Sequence, residues 1–316
     1  MGSEMCIRDR FDLHADIGYD VMQKKHTETD ILNRFHLQKF LEGEVSYIGM
    51  ASFFEGSETW DYMQDMVLSL KKEIEHCEMI DLVLCGEDLT ENGHIKAILT
   101  VEGMCGIKEH AREKIEWLYA QGVRIASFCW NEENLLATGV KGNPEHGLHP
   151  LGEEALQAMI DCNMLVDVSH ANERTFWDIM AHPSARVIAT HSNARALCDH
   201  PRNLWDDQII AIAKRGGIIG MNSAPAFVHE RSEKRDIPHL VAHMHYIKQL
   251  AGIEALALGL DYMDFYEGCE ELHTKNLEDC SKSQRLIEGM LTRNFSEEEV
   301  RLIASENALR KLKEVL

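Results

Sequence analysis

The chain has 316 residues, of which 45% are hydrophobic, and it carries a formal net charge of −21 at pH 7. This length suits one large α/β barrel, and the negative charge argues against nucleic acid or an anionic membrane as partner. No run reaches the roughly 18 apolar residues that span a bilayer. Residues 1–10, MGSEMCIRDR, lack the apolar centre of a signal peptide and are predicted to be a non-native or disordered leader.

Short β-branched runs alternate with helical patterns along the rest of the chain. The predicted strands are 10–16, 45–52, 95–102, 123–130, 164–170, 186–191, 217–222 and 255–261. The predicted helices are 60–77, 108–122, 152–163, 172–181, 205–217 and 240–252, with a weaker helical pattern within 17–44.

Eight strands alternating with helices predict an α/β fold of the (β/α)8 TIM barrel type, as a single domain over residues 11–316. A doubly wound open sheet is the alternative. No G-x-G-x-x-G follows any predicted strand, so the usual dinucleotide site of that alternative is missing.

The nine cysteines are spread out, and none forms a C-x-x-C pair. This pattern favours neither a disulfide framework nor a zinc ribbon. Reduced thiols in a cytoplasmic protein are therefore expected.

Side chains that bind metals stand at the carboxyl ends of the predicted strands, which in a barrel converge on the catalytic face. They are His14 and Asp16 on the first strand, Glu102 on the third, His170 on the fifth, His191 on the sixth and Asp261 on the eighth. The first five of these, three imidazoles and two carboxylates, suit zinc or a similar divalent ion, and Asp261 is left outside the ligand set. Five ligands exceed the need of one tetrahedral ion, whereas two ions bridged by Glu102 would use them all.

Other polar residues near these strands are assigned supporting roles. Asp12 is expected to orient a neighbouring ligand, as ligating histidines usually require. His243 and His245 lie in a helical stretch and are expected to be structural.

The chain resembles the membrane (renal) dipeptidase family of binuclear zinc metallopeptidases, in particular its soluble bacterial members. The resemblance runs from about Phe11 to the C-terminus and is most specific over 164–222. It rests on DLHAD, TVEG, GLHPLGEEALQAM, MLVDVSH, THSNARALCDHPRNLWDDQI, GGIIGMN and LGLDYMDF.

This resemblance implies a (β/α)8 barrel with two zinc ions, one held by His14 and Asp16, the other by His170 and His191, and Glu102 between them. It also implies that Asp261 shuttles a proton and that Arg202, in HPRN, binds the terminal carboxylate of the substrate. Arginine suits that role because its planar fork meets a carboxylate through two parallel hydrogen bonds. A surface ion pair between Arg202 and Asp206 or Asp207 is the structural alternative.

The sequence departs from the family pattern in three places. Trp130, in SFCWNEEN, takes the position of a substrate-contacting histidine found after the fourth strand in many animal members, as it does in many bacterial relatives. The aromatic residue that some members place just after the seventh-strand asparagine is missing from MNSAPAF. The eighth-strand motif, usually SDFDG, reads LDYMDF, in which Asp261 is kept.

The predicted function is a cytoplasmic metal-dependent dipeptidase that hydrolyses small peptides with a hydroxide bridging two zinc ions. Manganese, cobalt or iron would also suit the ligands, and a homodimer is what the family suggests. An N-acyl amino acid deacylase or a hydrolase of cyclic amides or lactones is the alternative, and a non-catalytic binding relative is a third. The long connections 131–150, 223–238 and 262–295 are expected to shape the pocket.

Overall fold

Nine short strands form the centre of the protein in the computed structural model, which describes residues 9–266, 268 and 272–316. They are β1 (Arg10–Ala15), β2 (Val45–Phe53), β3 (Ile80–Leu82), β4 (Ile95–Glu102), β5 (Val123–Ala126), β6 (Leu165–Asp167), β7 (Arg186–Ile188), β8 (Ile219–Met221) and β9 (Leu256–Leu258). Eight of them pair in the order β7-β6-β5-β4-β2-β1-β9-β8, and every pairing between strands is parallel.

The sheet closes where the chain leaves β7. Ala189 forms a parallel bridge with Ile219 of β8, its amide donates to the carbonyl of Ile218, and its carbonyl accepts from Gly220. Eight parallel strands thus form a nearly closed barrel, as the sequence predicts, and the open doubly wound sheet is excluded. The prediction missed β3, which pairs with the first residues of β4 beside the barrel and is only three residues long.

Helices fill most connections between the strands. They are α1 (Ile17–Lys24), α2 (Gln38–Glu42), α3 (Trp60–His76), α4 (Ala111–Gln121), α5 (Pro150–Asp161), α6 (Glu173–Met180), α7 (Asp206–Lys214), α8 (Pro225–Val228), α9 (Ile237–Ala251), α10 (Ser283–Leu291), α11 (Glu297–Arg301) and α12 (Asn307–Leu312). Local signals set their ends: the hydroxyl of Thr59 accepts from the amide of Tyr62 where α3 begins, and α4 ends at Gly122, whose φ is 107°. Each of the six predicted helical stretches contains a helix, and the weaker pattern within 17–44 contains two.

Alternate residues of β4 face opposite sides of the sheet. Ala97, Leu99 and Val101 belong to the large apolar cluster that packs helices against strands. Ile98 belongs to a smaller cluster with residues of the neighbouring strands, such as Ile125. Glu102 lies on the same side of β4 as Ile98, because side chains alternate along a strand. Its carboxylate therefore faces away from the helical layer.

Several strands end earlier than the sequence predicts. The strand predicted over 164–170 ends at Asp167, because the carboxylate of Asp167 accepts hydrogen bonds from the amides of Ser169 and Thr190 in place of a neighbouring backbone carbonyl. Asp12 acts similarly on His14 and Leu260. Asp12 therefore contacts the neighbouring residue His14 through the backbone amide of that residue.

Three predictions, on the leader, the cysteines and membrane-spanning segments, can be compared only with the residues that the structure describes. Residues 1–8 of the predicted leader lie outside them, and Arg10 begins β1. Seven cysteines are free thiols, while Cys6 and Cys269 lie outside the described residues. Within the part of the chain that the structure describes, none of the helices has the length and apolar character needed to cross a membrane.

Candidate metal centre

The six residues singled out at the strand ends come together at the carboxyl end of the barrel. His14 lies in β1, Asp16 directly follows it, and Glu102 is the last residue of β4. His170, His191 and Asp261 lie in the loops just after β6, β7 and β9. All six side chains are buried, so the barrel concentrates three imidazoles and three carboxyl groups away from bulk water.

Glu102 stands at the centre of this cluster, and its two carboxylate oxygens face different histidines. Oε1 lies 2.5 Å from Nε2 of His170 and 3.3 Å from Nε2 of His191. Oε2 lies 3.3 Å from Nε2 of His14. One carboxylate therefore divides the histidines into two groups, one on each oxygen.

The His14 side of the cluster carries two more carboxyl groups. Nε2 of His14 lies 3.2 Å from Oδ1 of Asp16 and 3.9 Å from Oδ1 of Asp261. Ligand atoms of these three residues all lie within 4.8 Å of one another, as do those of His14, Glu102 and His191. Both groups have the size of a metal coordination sphere.

Hydrogen bonds at the far side of the rings leave Nε2 of two histidines free to bind a metal. Nδ1 of His191 lies 2.7 Å from the Thr190 hydroxyl, which itself donates to Oδ2 of Asp167. The hydroxyl proton is thereby committed to Asp167, so His191 donates from Nδ1. Nδ1 of His170 lies 3.2 Å from Oδ1 of Asn131 and donates to it. Such contacts fix the tautomer of ligating histidines.

The sequence did not indicate that Asn131, Asp167 and Thr190 support the two histidines. It also did not indicate the role of Asn222. The amide nitrogen of Asn222 donates to Oδ2 of Asp261 at 3.1 Å, while its side-chain oxygen accepts from the amide of Ala224. The only sequence signal for these residues is that each is polar and lies at or shortly after the end of a strand. Each contacts a residue that follows another strand, and one sequence does not reveal such a pairing.

Burial and mutual contact shift the pKa values of the carboxyl groups in opposite directions. Burial raises the pKa of Asp261 to about 8 and that of Asp16 to about 6. Burial also acts to raise the pKa of Glu102, but His170 and His14 outweigh it and hold that pKa well below its ordinary value. Glu102 is therefore the ionised member of the cluster, and Asp261 can exchange a proton near neutral pH.

Burial also keeps two of the histidines neutral, which is the form that binds metal. It lowers the pKa of His170 to about 4, with Arg202 adding to the effect. It lowers the pKa of His191 well below its ordinary value, with His14 adding to the effect.

The chemistry of the donor set fits a divalent metal. Nε2 of His14 and Oδ1 of Asp16 are buried and make no hydrogen bond within the described part of the protein, although they lie close together. Nε2 of His170 and Nε2 of His191 face each other at 3.0 Å, with both Nδ1 atoms already engaged. Imidazole nitrogens and carboxylate oxygens that converge in this way are the usual ligands of zinc and related ions.

The cluster opens into a cavity of about 390 Å³, within the range of small-molecule sites. Its wall combines the acidic cluster with aromatic and basic side chains from several loops: Asp16, Phe53, Glu55, Glu102, Trp130, Asn131, Val140, Lys141, His170, His200, Pro201, Arg202, Phe227, Asp261, Met263 and Tyr266. Each of the three long connections contributes to this wall, as expected.

Arg202 lies in the cavity wall, and only part of its guanidinium is hydrogen-bonded. The side chain is 4% exposed, and Nη2 donates to the carbonyl of His191 at 3.2 Å, but Nε and Nη1 make no hydrogen bond among the described residues. The alternative partners are engaged elsewhere, since Asp206 accepts from Tyr246 and Asp207 from the amide of Gln208. The geometry thus favours a ligand-binding arginine over a surface ion pair.

Aromatic side chains flank the metal cluster within the cavity. The Trp130 ring lies 6.0 Å from the His170 ring and edge-on to Phe53 at 5.2 Å. The aromatic residue missing directly after Asn222 has a counterpart in Phe227, whose ring lies 5.5 Å from the guanidinium carbon of Arg202. Phe227 reaches the cavity through α8, which the sequence did not predict.

Buried imidazoles and carboxylates at the carboxyl end of a (β/α)8 barrel define the class of metal-dependent hydrolases. The family model of membrane dipeptidase (peptidase family M19) matches residues 8–316, and the chain belongs to this family. It is accordingly a hydrolase of the metallo-dipeptidase type that acts on peptides.

Two curated relatives are similar to the chain in sequence. An uncharacterized protein from the pqqA 5′ region of Klebsiella pneumoniae is 35% identical over 191 residues, which are 58% of this chain and 69% of that protein. An uncharacterized dipeptidase of Schizosaccharomyces pombe (strain 972 / ATCC 24843) is 31% identical over 241 residues, 73% of this chain and 56% of that protein.

Solved structures share the fold. A metallo peptidase from Rhodobacter sphaeroides, liganded with a phosphinate mimic of the dipeptide L-Ala-D-Ala, superimposes with a TM-score of 0.86 at 19% identity. The match covers 98% of this chain and 99% of that protein. The similarity therefore extends over the entire barrel.

Proposed function

We propose that this protein hydrolyses free dipeptides at a centre of two divalent metal ions. His14 and Asp16 would hold one ion, His170 and His191 the other, and Glu102 would bridge them. The observation that carries the proposal is that the two carboxylate oxygens of Glu102 face different histidines. Oε2 faces His14, whereas Oε1 faces His170 and His191. A single ion would leave part of this buried ligand set without a partner, at a high desolvation cost.

Zinc is the proposed metal, because a mixed set of imidazole and carboxylate ligands suits it, and manganese, cobalt or iron would also fit. When bound, two such ions supply Lewis-acid polarisation of the amide carbonyl and activation of the water between them toward hydroxide.

Asp261 is the proposed proton carrier. It lies 3.9 Å from Nε2 of His14, beside the cluster rather than between its two halves, and the Asn222 amide orients its carboxylate. We propose that Asp261 accepts the proton of the attacking water and returns it to the leaving amine, which is general base and then general acid catalysis.

Arg202 is proposed to bind the terminal carboxylate of the substrate. Its unpartnered Nε and Nη1 are buried in the wall of the cavity, where a carboxylate would satisfy both through a bidentate contact. Trp130, on the same wall, is proposed to contact the substrate by packing. A free C-terminus next to the scissile bond is thereby selected, so cleavage releases a single C-terminal residue.

The experiment that tests this function measures metal content and activity together. Protein purified without chelator is analysed for metals and assayed on L-Xaa-L-Xaa and L-Xaa-D-Xaa dipeptides and on N-acyl amino acids. We expect about two metals per chain and dipeptide cleavage that a chelator removes and zinc restores. Turnover of acyl amino acids alone would replace the proposed substrate, and no bound metal after supplementation with zinc and manganese would overturn the proposed centre.

Glu102→Gln tests the bridging role in particular. The substitution keeps the shape of the side chain but removes the negative charge, so we expect fewer than two metals per chain and a matching loss of activity. Glu132→Gln is a matched control, since Glu132 is a partly buried carboxylate near the same end of the barrel that hydrogen-bonds Asn134 instead of the cluster. Two metals retained in Glu102→Gln would contradict the bridge.

A further inference from the structure

Lys141 is a basic side chain of the cavity wall that the proposed mechanism does not use. It is exposed, its ammonium lies 5.5 Å from the centre of the Trp130 ring, and it shares the cavity wall with Arg202. Among the described residues, its ammonium forms no ion pair with a carboxylate, although the chain as a whole carries a net charge of −21. An unpaired cation in the binding cavity of so acidic a protein is open to an anionic ligand.

The backbone around Lys141 is fixed against the metal centre. The amide of Lys141 donates to the carbonyl of Asn131 at 2.8 Å, and the amide of Val140 donates to the carbonyl of His170 at 3.1 Å. Gly139 permits this close approach, because a Cβ there would lie 2.1 Å from the carbonyl oxygen of Trp130. The backbone of this segment is therefore held on both sides, which fixes the point in the cavity wall from which the Lys141 side chain extends.

Lys141 and Arg202 act on the same part of the cavity. His200 lies in the same cavity wall: its Nδ1 accepts from the amide of Arg202, and its ring lies 4.5 Å from the Phe227 ring. Burial lowers the pKa of His200, and the positive charges of Arg202 and Lys141 lower it further. Two cations thus lie in one cavity wall, while a dipeptide offers only one terminal carboxylate.

We propose that Lys141 determines specificity by binding an acidic side chain on the C-terminal residue of the dipeptide. The inference rests on the proposed function, in which Arg202 takes the terminal carboxylate. The second carboxylate of a C-terminal Asp or Glu then meets the ammonium of Lys141 on the same wall. Elsewhere the net negative charge of the protein repels such a side chain, so the lysine adds both attraction and selectivity.

The test compares acidic dipeptides with their neutral isosteres. L-Ala-L-Glu and L-Ala-D-Glu are assayed beside L-Ala-L-Gln and L-Ala-D-Gln, with the wild type, Lys141→Met, Lys141→Arg and the control Lys108→Met. Lys108 is an exposed lysine in the loop after β4, outside this cavity. We expect Lys141→Met to lower the acidic-to-amide ratio of kcat/KM about tenfold, mainly through KM, as loss of a partly screened ion pair implies.

The control variants separate charge from shape and from folding. Lys141→Arg should keep the acidic preference because it keeps the charge, Lys108→Met should keep the wild-type ratio, and added salt should reduce that ratio in the wild type. A ratio that stays within twofold of wild type in Lys141→Met overturns the role of Lys141. Absence of cleavage of any dipeptide by the metal-loaded wild type overturns the proposed function itself, so the two failures are distinguishable.

Discussion

The carboxylate of Asp167, at the end of β6, holds Thr190, which directly precedes the ligand His191. Oδ1 accepts from the Thr190 amide at 2.9 Å, and Oδ2 accepts from its hydroxyl at 2.5 Å. The hydroxyl in turn accepts from Nδ1 of His191. A residue on one strand therefore sets the orientation of a proposed metal ligand, His191, that follows the next strand.

Asp167→Ala should weaken metal binding and destabilise the barrel. The change leaves the amides of Ser169 and Thr190 and the Thr190 hydroxyl without their buried acceptor, which should lower the free energy of unfolding by roughly 2–4 kcal/mol. Loss of such a supporting contact should also lower metal affinity about 10- to 100-fold. Urea unfolding and titration against a competing chelator measure the two effects.

Asp167→Asn serves as the matched control for that change. Its side-chain oxygen still accepts from both amides, so we expect a smaller loss of stability than in Asp167→Ala. Wild-type metal affinity in Asp167→Ala would show that His191 is oriented without this network.

Arg202→Ala should impair free dipeptides far more than dipeptides with an amidated C-terminus. Removing the guanidinium leaves the substrate carboxylate in a buried cavity without a partner, a loss of roughly 2–5 kcal/mol. We therefore expect kcat/KM for free dipeptides to fall roughly 30- to 4,000-fold, mostly through KM. Arg202→Lys should restore activity only in part, because a lysine lacks the planar fork.

Kinetics on paired free and amidated substrates decide the role of Arg202. Equal losses on both substrates would show that Arg202 supports the fold, through its bond to the His191 carbonyl, rather than binding the carboxylate.

Asp261→Asn should keep the metals and lose the turnover. Asp261 has a φ of 55°, a left-handed conformation that asparagine tolerates better than most residues, so the variant should fold normally. An amide cannot carry the proton, and kcat should fall about 10²- to 10⁴-fold with two metals still bound. Near-normal kcat in the metal-loaded variant would refute the proton-shuttle role.

The sequence was sufficient to predict the barrel and the convergence of its polar strand ends. Ligand residue types recur at the ends of apolar strands, and parallel strands bring those ends together, so the order of residues alone groups His14, Glu102 and His191. β3 was missed because three residues show no alternation. The strands β6 and β7 were predicted too long because the carboxylate of Asp167 accepts from the amides of Ser169 and Thr190 just beyond them.

The cavity wall was less predictable than the metal cluster. Lys141 and Phe227 come from long connections, and their positions depend on contacts with distant segments, such as the bridge from Gly139 to Ala171. No local pattern encodes a pairing of this kind. The sequence could therefore indicate which loops shape the pocket, but not which side chains they present.

His243 should make stability depend on pH. It is 1% exposed, its Nδ1 accepts from the Ala194 amide at 3.1 Å, and its Nε2 lies 2.9 Å from the Val228 carbonyl, to which it donates. Only the neutral ring fits both contacts, because a proton on Nδ1 would face the Ala194 amide proton. Burial lowers the pKa of His243 to about 4, against about 6.5 for a histidine in the unfolded chain.

Between pH 6.5 and 4 the unfolded state therefore binds the proton that folded His243 does not. The stabilisation is fully present above pH 6.5 and falls as the pH drops toward 4, by about 2 kcal/mol between pH 7 and pH 5. His243→Gln lacks this titration, so the difference in unfolding free energy between wild type and variant should shrink by that amount over the same interval. Urea unfolding at both pH values measures it, with His76→Gln, an exposed histidine, as control. A difference that stays constant from pH 7 to pH 5 would mean that His243 takes up its proton without opening these contacts.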